Sequence, residues 1–386
     1  MDYYIIELGK KISADNANEK ETSIFNQIDS NPGKTPVFDA SELEYISSSG
    51  LRILMRVQRL FEEKLTIENA SRDMYEIFEM TGFTKIFNIK KKMREISIEG
   101  CKVIGKGATG TVYKIDNDTV VKVYTGKDTL ETIKHETDMA KIAFVHGIPT
   151  AISYDIVKVG EQYGSVFEML NAKTFNDLMI ENPDKSEELV NKYVDFIKLF
   201  HEKEVPSNIL PSAKEQYLTY ANLTYHAGIF DYEIFQKVYK LISSMKDNNH
   251  LLHGDFHLKN IMVVGDELMI IDMDTLSHGN GIFDLAGLYT AYILFERDDP
   301  GNTQRFFGIS KENAEKFWEM VVRKYYGIKN DDEYKTIMDK IIILASVCFM
   351  KILNNPLKKP DELTVIRNRH TIEELKSIID NVESLD

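Results

Sequence analysis

Residues 251–274 read LLHGDFHLKNIMVVGDELMIIDMD, and this stretch decides the fold and the chemistry expected of the chain. It contains Asp255 two positions after His253. Asn260 follows the aspartate by five positions, and Asp272 ends an apolar run. Phosphoryl transfer needs an acceptor hydroxyl held beside a carboxylate, and phosphate charge neutralised by metal. Asp255 as the base, with Asn260 and Asp272 as magnesium ligands, would supply these groups. The simpler interpretation is a strand–turn–strand hairpin with surface aspartates.

A glycine-rich segment lies upstream, in VIGKGATGTVYKIDNDTVVKVY (103–124). Gly105, Gly107 and Gly110 form a G-x-G-x-x-G pattern, which is a weak signal alone. In a dinucleotide-binding fold these glycines would open a helix, but here they precede a β-rich run, a turn and a second β-rich run. A glycine loop between antiparallel strands is typical of kinases, where backbone amides approach phosphate oxygens. An ordinary hairpin with flexible glycines is the alternative.

Lys122 lies in the second β-rich run, between apolar neighbours. A lysine on a strand beside a phosphate-binding loop is placed to hold the α- and β-phosphates. The next helix, predicted from about residue 129 to 145, offers Glu131 and Glu136 as partners, and the sequence KHETDMAKIA favours Glu136. An exposed Glu–Lys pair on the helix is the alternative.

Residues 165–170 (SVFEML) are predicted to be the last strand of a small lobe and the start of the connector to a larger one. The backbone from Glu168 to Leu170 is expected to bind the edge of an adenine. The sequence does not distinguish ATP from GTP.

HGDFHLKNIMV, IDMDT and FDLAGLY resemble the aminoglycoside phosphotransferase and choline kinase family over about residues 97–386. The resemblance implies a bilobal protein-kinase-like fold, with a small antiparallel-sheet lobe at 96–170 and a large, mainly helical lobe at 171–386. It gives the base, metal and phosphate roles to the residues already named. It also implies that Asp284 braces the catalytic loop (residues 253–260), which His253 opens as a supporting residue.

Two residues depart from the usual pattern of that family. Lys259 stands where glycine is common, and we expect it to face solvent rather than the γ-phosphate. Asp274 lies two positions beyond Asp272, so in an extended strand both carboxylates would point the same way. Asp274 would then contact a second metal or a cationic substrate, or it would only cap the next turn.

The first 95 residues alternate predicted strands and helices, which indicates a small α/β domain. FDASELEYISSSGL and LTIENASRDMYEIFEMTGFTKIFNI resemble the STAS domain of anti-sigma factor antagonists. The resemblance implies that Ser48 is phosphorylated to break a partner contact, although Ser47 stands where the family usually has Asp. A phosphate there would meet free N–H groups at a helix N-terminus. The alternative is that residues 47–49 only cap the helix.

Composition excludes some functions. The 386 residues predict two or three domains, and 47 basic against 61 acidic side chains make nucleic acid an unsuitable partner. Two cysteines favour a reducing cytoplasm. The first twenty residues lack signal-peptide features, and the most apolar run, residues 341–350, is too short to cross a membrane. The basic run from Lys90 to Arg94 is predicted to be a solvated linker.

These features predict an ATP- and Mg-dependent phosphotransferase that acts on a hydroxyl of a small molecule, with a regulatory STAS-like domain at 1–95. A signalling module that binds nucleotide with little turnover is the alternative, as is a kinase for a protein serine, either Ser48 or one on a partner. The presence of both Asp255 and Asp272 favours the enzyme. The acceptor molecule stays open.

Overall fold

The computed structural model describes residues 2–107, 110–124, 130–354 and 360–386. Ala108 and Thr109 of the predicted glycine loop, and Thr129 at the predicted helix start, lie outside the described residues. The chain divides into two compact units, one of Met1–Ser97 with Ile156–Gln162 and the other of Ile98–Asp155 with Tyr163–Asp386. None of the helices within the described ranges has the length and apolar character needed to cross a membrane.

The first unit alternates short strands and helices. In chain order they are β1 (Tyr3–Glu7), β2 (Lys11–Ile12), α1 (Ala17–Asp29), β3 (Thr35–Asp39), β4 (Tyr45–Ile46), α2 (Ser48–Gln58), β5 (Thr66–Ala70), α3 (Arg72–Met80), β6 (Asn88–Lys91) and β7 (Arg94–Glu95). Strands β1, β3, β5 and β6 lie side by side in that order, and all three pairings are parallel. Parallel strands need crossovers, which the helices supply.

The core of the first unit lies between this sheet and its helices. Ile6, Phe38 and Ile67 point inward from three neighbouring strands and are fully buried. Leu54 and Phe78 from two of the helices meet them in the same apolar cluster. This is the α/β arrangement predicted from the alternating pattern.

The basic run predicted as a linker is part of the folded first unit instead. Lys90 and Lys91 belong to β6, and Arg94 belongs to β7. Within this unit Arg94 pairs in parallel register with Val157. The linker prediction is wrong because charge alone does not exclude a strand whose side chains reach water, and these three residues are exposed.

Beyond residue 97 the chain forms a sheet and then mainly helices, which make up the second unit except that residues 156–162 belong to the first. In chain order the elements are β8 (Lys102–Lys106), β9 (Gly110–Lys114), β10 (Thr119–Tyr124), α4 (Leu130–Val145), β11 (Ser153–Val159), β12 (Gln162–Glu168), β13 (Lys173–Thr174), α5 (Phe175–Glu181), α6 (Ser186–His201), α7 (Ala213–His226), α8 (Tyr232–Ser243), β14 (Leu251–Leu252), β15 (Ile261–Val264), β16 (Glu267–Ile270), β17 (Ser277–His278), α9 (Ile282–Tyr289), α10 (Phe295–Asp298), α11 (Asn302–Phe307), α12 (Lys311–Tyr326), α13 (Asp331–Leu353) and α14 (Glu362–Ile378).

Strand β10 is central to the sheet of the second unit, because it pairs antiparallel with β9 on one side and β12 on the other. β8 adds to the outer edge of β9. Helix α13 has Ile341, Leu344 and Val347 at zero exposure, and it packs against α7 and α9. The predicted fold class, an α/β domain followed by a sheet lobe and a helical lobe, is confirmed.

Candidate active site

Two strand pairs hold the ends of the catalytic loop. β14 pairs with β17 before the loop, and β15 pairs with β16 after it. Within the loop the side-chain amide nitrogen of Asn260 donates to the carbonyl oxygen of Asp255 at 2.9 Å and to its carboxylate Oδ2 at 3.2 Å. Because this nitrogen faces Asp255, the amide oxygen of Asn260 is left as the group that can bind a cation.

The β15–β16 hairpin places Asp272 close to Asn260. The N–H of Ile271, the residue before Asp272, donates to the carbonyl oxygen of Asn260 at 2.9 Å. Asp272 itself has a left-handed backbone, with φ 69° and ψ 67°. A non-glycine residue in this region costs about 1 to 3 kcal/mol and is most often found at functional sites.

The left-handed backbone of Asp272 differs from the extended strand assumed for Asp274, whose role at a second metal or cationic substrate, or as a cap of the next turn, stays a prediction. That prediction assumed an extended strand with both carboxylates on one side. Instead the chain leaves the strand at Asp272, and Met273–Thr275 form a single 3₁₀ turn. Although Asp274 is exposed, desolvation by the surrounding protein and the neighbouring carboxylate of Asp272 raise its pKa to about 6.

Lys122 joins two carboxylates from distant parts of the second unit. Its Nζ lies 2.8 Å from Oε1 of Glu136 on α4 and 2.8 Å from Oδ1 of Asp272. Burial alone would lower the pKa of Lys122, but the two carboxylates raise it above the ordinary value, so the side chain stays cationic. Glu131, the other glutamate considered from the sequence, is exposed.

Tyr124 fixes the other carboxylate oxygen of Glu136, and sequence reasoning missed it. Its hydroxyl donates to Oε2 of Glu136 at 2.9 Å and is also hydrogen-bonded to Oγ of Ser165 at 3.1 Å. Residues two apart on a strand share one face, so the position of Lys122 on β10 already indicated that Tyr124 would point the same way.

Asp284, on the first turn of α9, holds the start of the catalytic loop through backbone bonds. Its Oδ2 accepts from the N–H of His253 at 2.9 Å, and its Oδ1 accepts from the N–H of Gly254 at 2.6 Å. Nε2 of His201 lies 2.9 Å from the same carboxylate. Although burial would raise the pKa of Asp284, these hydrogen bonds lower it, so the group is ionised. His201 is not among the predicted site residues.

Gly254 and His253 lie directly before Asp255, and the structure around each of them accepts few other side chains. Gly254 has φ +84°, and a Cβ there would lie 2.7 Å from the carbonyl oxygen of Thr275. Nδ1 of His253 accepts from the N–H of Asp255, and Nε2 donates to the carbonyl oxygen of Ile271, each at 3.2 Å. This pattern requires a neutral imidazole, and burial lowers the pKa of His253 accordingly.

Two neighbours of Asp255 complete the description of the loop. Nε2 of His257 lies 3.5 Å from Oδ2 of Asp255, a contact that the sequence analysis did not identify. The ring of His257 packs edge-on against Phe307, with centroids 5.6 Å apart. Lys259 is exposed, and the prediction that it faces solvent rather than the γ-phosphate stays a prediction.

Two of the three predicted glycines lie on strands, Gly105 on β8 and Gly110 at the start of β9. The N–H of Gly107 donates to the carbonyl oxygen of Gly110 at 2.9 Å, and Gly105 lies opposite Val112 in the strand pairing. A Cβ on Gly110 would lie 2.5 Å from the carbonyl oxygen of Val123, so a larger residue does not fit. Phosphate binding by this segment stays a prediction.

The predicted purine-binding connector begins where β12 ends. The carboxylate of Glu168 accepts from the N–H of Ile152 at 3.3 Å. The N–H of Met169 donates to the carbonyl oxygen of Asp118 at 2.8 Å, and Leu170 follows directly. These bonds fix the start of the connector, while its contact with a nucleotide stays a prediction.

In the first unit, Ser47 and Ser48 have different roles at the start of α2. Oγ of Ser47 accepts from the N–H of Gly50 at 3.3 Å, so Ser47 is the helix cap. Ser48 is the first helical residue and is exposed. The phosphorylation of Ser48 stays a prediction.

The oxygen donors of the second unit suit magnesium. Mg²⁺ prefers oxygen ligands and is usually bound by one or two carboxylates together with substrate phosphates. The carboxylate of Asp272 and the amide oxygen of Asn260 match this donor type. Within the described ranges no group of three or more His, Cys, Asp or Glu side chains is arranged to hold a metal. The remaining ligands of a metal bound here would be water or phosphate oxygens.

Two family models match this chain. The model of the phosphotransferase enzyme family matches residues 100–310. The STAS domain model matches residues 2–96. BtrV of Bordetella bronchiseptica, described as a candidate anti-sigma factor antagonist, is 30% identical over 81 residues, which are 20% of this chain and 69% of BtrV.

Solved structures resemble the chain more distantly. The ADP-bound aminoglycoside phosphotransferase APH(2'')-Ib is 16% identical, with 79% of this chain and 98% of that protein covered and a TM-score of 0.47. The choline kinase LicA from Streptococcus pneumoniae is 15% identical, with 79% of this chain and 99% of LicA covered and a TM-score of 0.43. At these values the similarity identifies no substrate for this chain.

Proposed function

Because this chain belongs to the phosphotransferase enzyme family, we propose that it transfers the γ-phosphate of a nucleoside triphosphate, with Mg²⁺, to a hydroxyl group of a small molecule. The observation that carries the proposal is the pair of 2.8 Å contacts that join Lys122 to Glu136 and to Asp272. A lysine held between a helix carboxylate and a candidate metal ligand is the arrangement that phosphoryl transfer requires. ATP is the first nucleotide to test, and GTP is the comparison.

In this proposal Lys122 binds the α- and β-phosphates, and Glu136 keeps its ammonium in place. The amide hydrogens of the glycine segment, from Gly105 to Gly110, approach the phosphate oxygens. The backbone from Glu168 to Leu170 binds the purine edge. Asn260 and Asp272 hold Mg²⁺, which neutralises charge on the phosphates when it is bound.

Asp255 acts as the base. The carboxylate accepts the proton of the acceptor hydroxyl as that oxygen bonds to the γ-phosphorus and the bond to the leaving diphosphate breaks. Its Oδ2 is fixed by Asn260 at 3.2 Å, so the carboxylate has a defined direction before the acceptor binds. Because the carboxylate of Asp255 is already oriented, it needs less rearrangement to reach the transition state.

The proposal is tested by measuring ATP and GTP consumption with a panel of hydroxyl-bearing metabolites. The Asp255→Asn protein is the blank, because it keeps the shape and loses the proton acceptor. We expect the variant to lower turnover by orders of magnitude and to leave nucleotide affinity within about twofold. Equal consumption by both proteins would contradict the assignment of Asp255 as the base.

A second candidate is transfer to a protein serine. It is supported by the STAS match and by the exposed Ser48 at the start of α2. After incubation with labelled ATP, mass spectrometry of residues 47–49 should show a phosphate that is lost in Ser48→Ala. Unmodified serines under conditions where small-molecule transfer is measurable would rule out Ser48 as an acceptor.

A further inference from the structure

Two buried tyrosines hold the backbone of the catalytic loop directly after Asp255. The hydroxyl of Tyr193, on α6, donates to the carbonyl oxygen of Phe256 at 2.7 Å. The N–H of Leu258 donates to the hydroxyl oxygen of Tyr292 at 3.2 Å. Both tyrosines have zero exposure, and burial raises the pKa of each hydroxyl above its ordinary value, so both stay protonated.

Tyr292 lies in an unusual backbone conformation. Thr290–Leu294 form a π-helical turn between α9 and α10. Such turns are rare, and they often occur at functional sites. The ring of Tyr292 stacks on Phe307 with centroids 4.4 Å apart and 21° between the planes, and it also contacts Phe317. The position of its hydroxyl is therefore set by close packing on two sides.

The loop needs these bonds because its inward side has backbone groups that water does not reach. Phe256 is 2% exposed and Leu258 is 1% exposed, whereas Asp255 is partly exposed. A buried N–H or C=O without a partner costs about 1 to 3 kcal/mol. The two tyrosines supply partners at alternate residues of the loop.

Asp255 is therefore placed mainly through the backbone on each side of it. Before it, the N–H groups of His253 and Gly254 are held by Asp284. After it, the bonds to the tyrosines hold the next residues. Rotation of the backbone at Asp255 would require at least one of these bonds to break.

We infer that Tyr193 and Tyr292 are positioning residues for phosphoryl transfer, which hold the catalytic loop so that the carboxylate of Asp255 meets the acceptor hydroxyl. This inference rests on the proposed function, in which Asp255 is the base. Buried tyrosine hydroxyls usually find a partner in any fold. A role in stability alone is therefore the competing explanation, and the two differ in what they predict for kcat.

The experiment compares Tyr292→Phe and Tyr193→Phe with Tyr289→Phe. Tyr289 is a matched control, because it lies on the same helical segment, is 7% exposed and packs on Trp318 with ring centroids 5.2 Å apart. Each substitution keeps the ring and removes the hydroxyl. With the acceptor found in the metabolite screen, we expect kcat to fall about tenfold in the first two variants. Nucleotide Kd should change less than twofold in all three, and kcat of the control should stay within twofold.

A second measurement requires no turnover. Amide hydrogen exchange of Leu258 should be about tenfold faster in Tyr292→Phe than in the wild type, and unchanged in Tyr289→Phe. Unchanged kcat in both loop variants would overturn the inference, as would an equal loss in the control or unchanged exchange at Leu258. If one of the two loop variants does not fold, kcat of the other loop variant tests the inference. If the wild type shows no turnover, the proposed function fails rather than this inference, so the failure of the inference and the failure of the proposed function are distinguishable.

Discussion

The charged cluster of the second unit and the serine cap of the first unit are built differently. Lys122 contacts Glu136, which is 14 positions away, and Asp272, which is 150 positions away. Ser47 contacts Gly50, three positions away, and its neighbour Ser48 is exposed. Because the charged cluster joins residues that are far apart in the sequence, its geometry depends on the folding of the whole second unit. The serine cap, and the exposed serine beside it, need only one local helix.

The largest effect is expected from Asp272→Asn, which tests whether the long-range cluster is the site of chemistry. The substitution removes a candidate metal ligand and the charge that pairs with Lys122, so turnover should fall on the order of 10³-fold. Asp266→Asn, an exposed residue in the turn between β15 and β16, is the control and should leave turnover unchanged. Activity in Asp272→Asn close to that of the control would show that the cluster is structural.

The next effect concerns the fold of the catalytic loop. Gly254→Ala should destabilise the second unit by about 3 kcal/mol, because φ is +84° and the new Cβ would lie 2.7 Å from the carbonyl oxygen of Thr275. Gly265→Ala is the matched control, since Gly265 has φ +60° but no atom within 4 Å, and about 1 kcal/mol is expected. Denaturant unfolding measures both. Equal losses would mean that the contact with Thr275 is relieved by a small shift.

The third prediction uses pH to separate the two units. All nine histidines lie outside residues 1–97 and 156–162. Burial lowers the pKa of His253 below its ordinary 6.5, so the folded state binds fewer protons than the unfolded state as the pH falls below 6.5. The contribution of His253 to the stability of the second unit should therefore fall by up to about 2 kcal/mol between pH 7 and pH 5. Asp274, whose pKa is raised to about 6, makes the folded state bind more protons over the same range and acts in the opposite direction. The first unit, which contains no histidine, should not show the His253 effect.

Denaturant unfolding at each pH, with separate probes for the two units, checks this expectation. His253→Gln should lose less stability than the wild type between pH 7 and pH 5, because the titrating imidazole is gone. If the difference in stability between the wild type and His253→Gln is the same at pH 5 and pH 7, the imidazole accepts its proton without a free-energy cost, and the bonds assigned to Nδ1 and Nε2 are wrong.

The smallest effect is local to the first unit. Ser47→Ala removes the cap bond to Gly50 and should cost about 1 kcal/mol. Ser48→Ala should change stability by less than about 0.5 kcal/mol, because its side chain is exposed at the first helical position. Unfolding of the first unit measures both. A larger loss in Ser48→Ala would indicate that this serine is structural rather than available to a partner.

Local spacing was enough to predict how Asp255, Asn260 and Asp272 are grouped, because one loop and one hairpin carry all three. The bonds that hold the loop were not predictable in the same way. Tyr193 is 63 positions from Phe256, and Tyr292 is 34 positions from Leu258. Tyrosines in apolar helices are ordinary core residues, so no local pattern distinguishes these two.

The extended backbone assumed from Asp272 to Asp274 was wrong for a different reason. Alternation along a strand is a reliable guide only while the backbone stays extended. A left-handed residue is expected at glycine, and Asp272 is one of only two non-glycine residues with positive φ in the part of the chain described. Tertiary contacts, above all the one with Lys122, hold it there.

The contact between Lys122 and Asp272 has a consequence for the order in which ligands enter. Asp272 can bind a divalent cation only if the ammonium releases or shares its carboxylate, and the ammonium then needs a new counter-ion. A nucleotide supplies that counter-ion through its phosphates, whereas a free cation does not. In the proposed function, ligand entry would thus be an exchange of ionic partners, in which the lysine would disfavour magnesium alone and favour magnesium that arrives with its nucleotide.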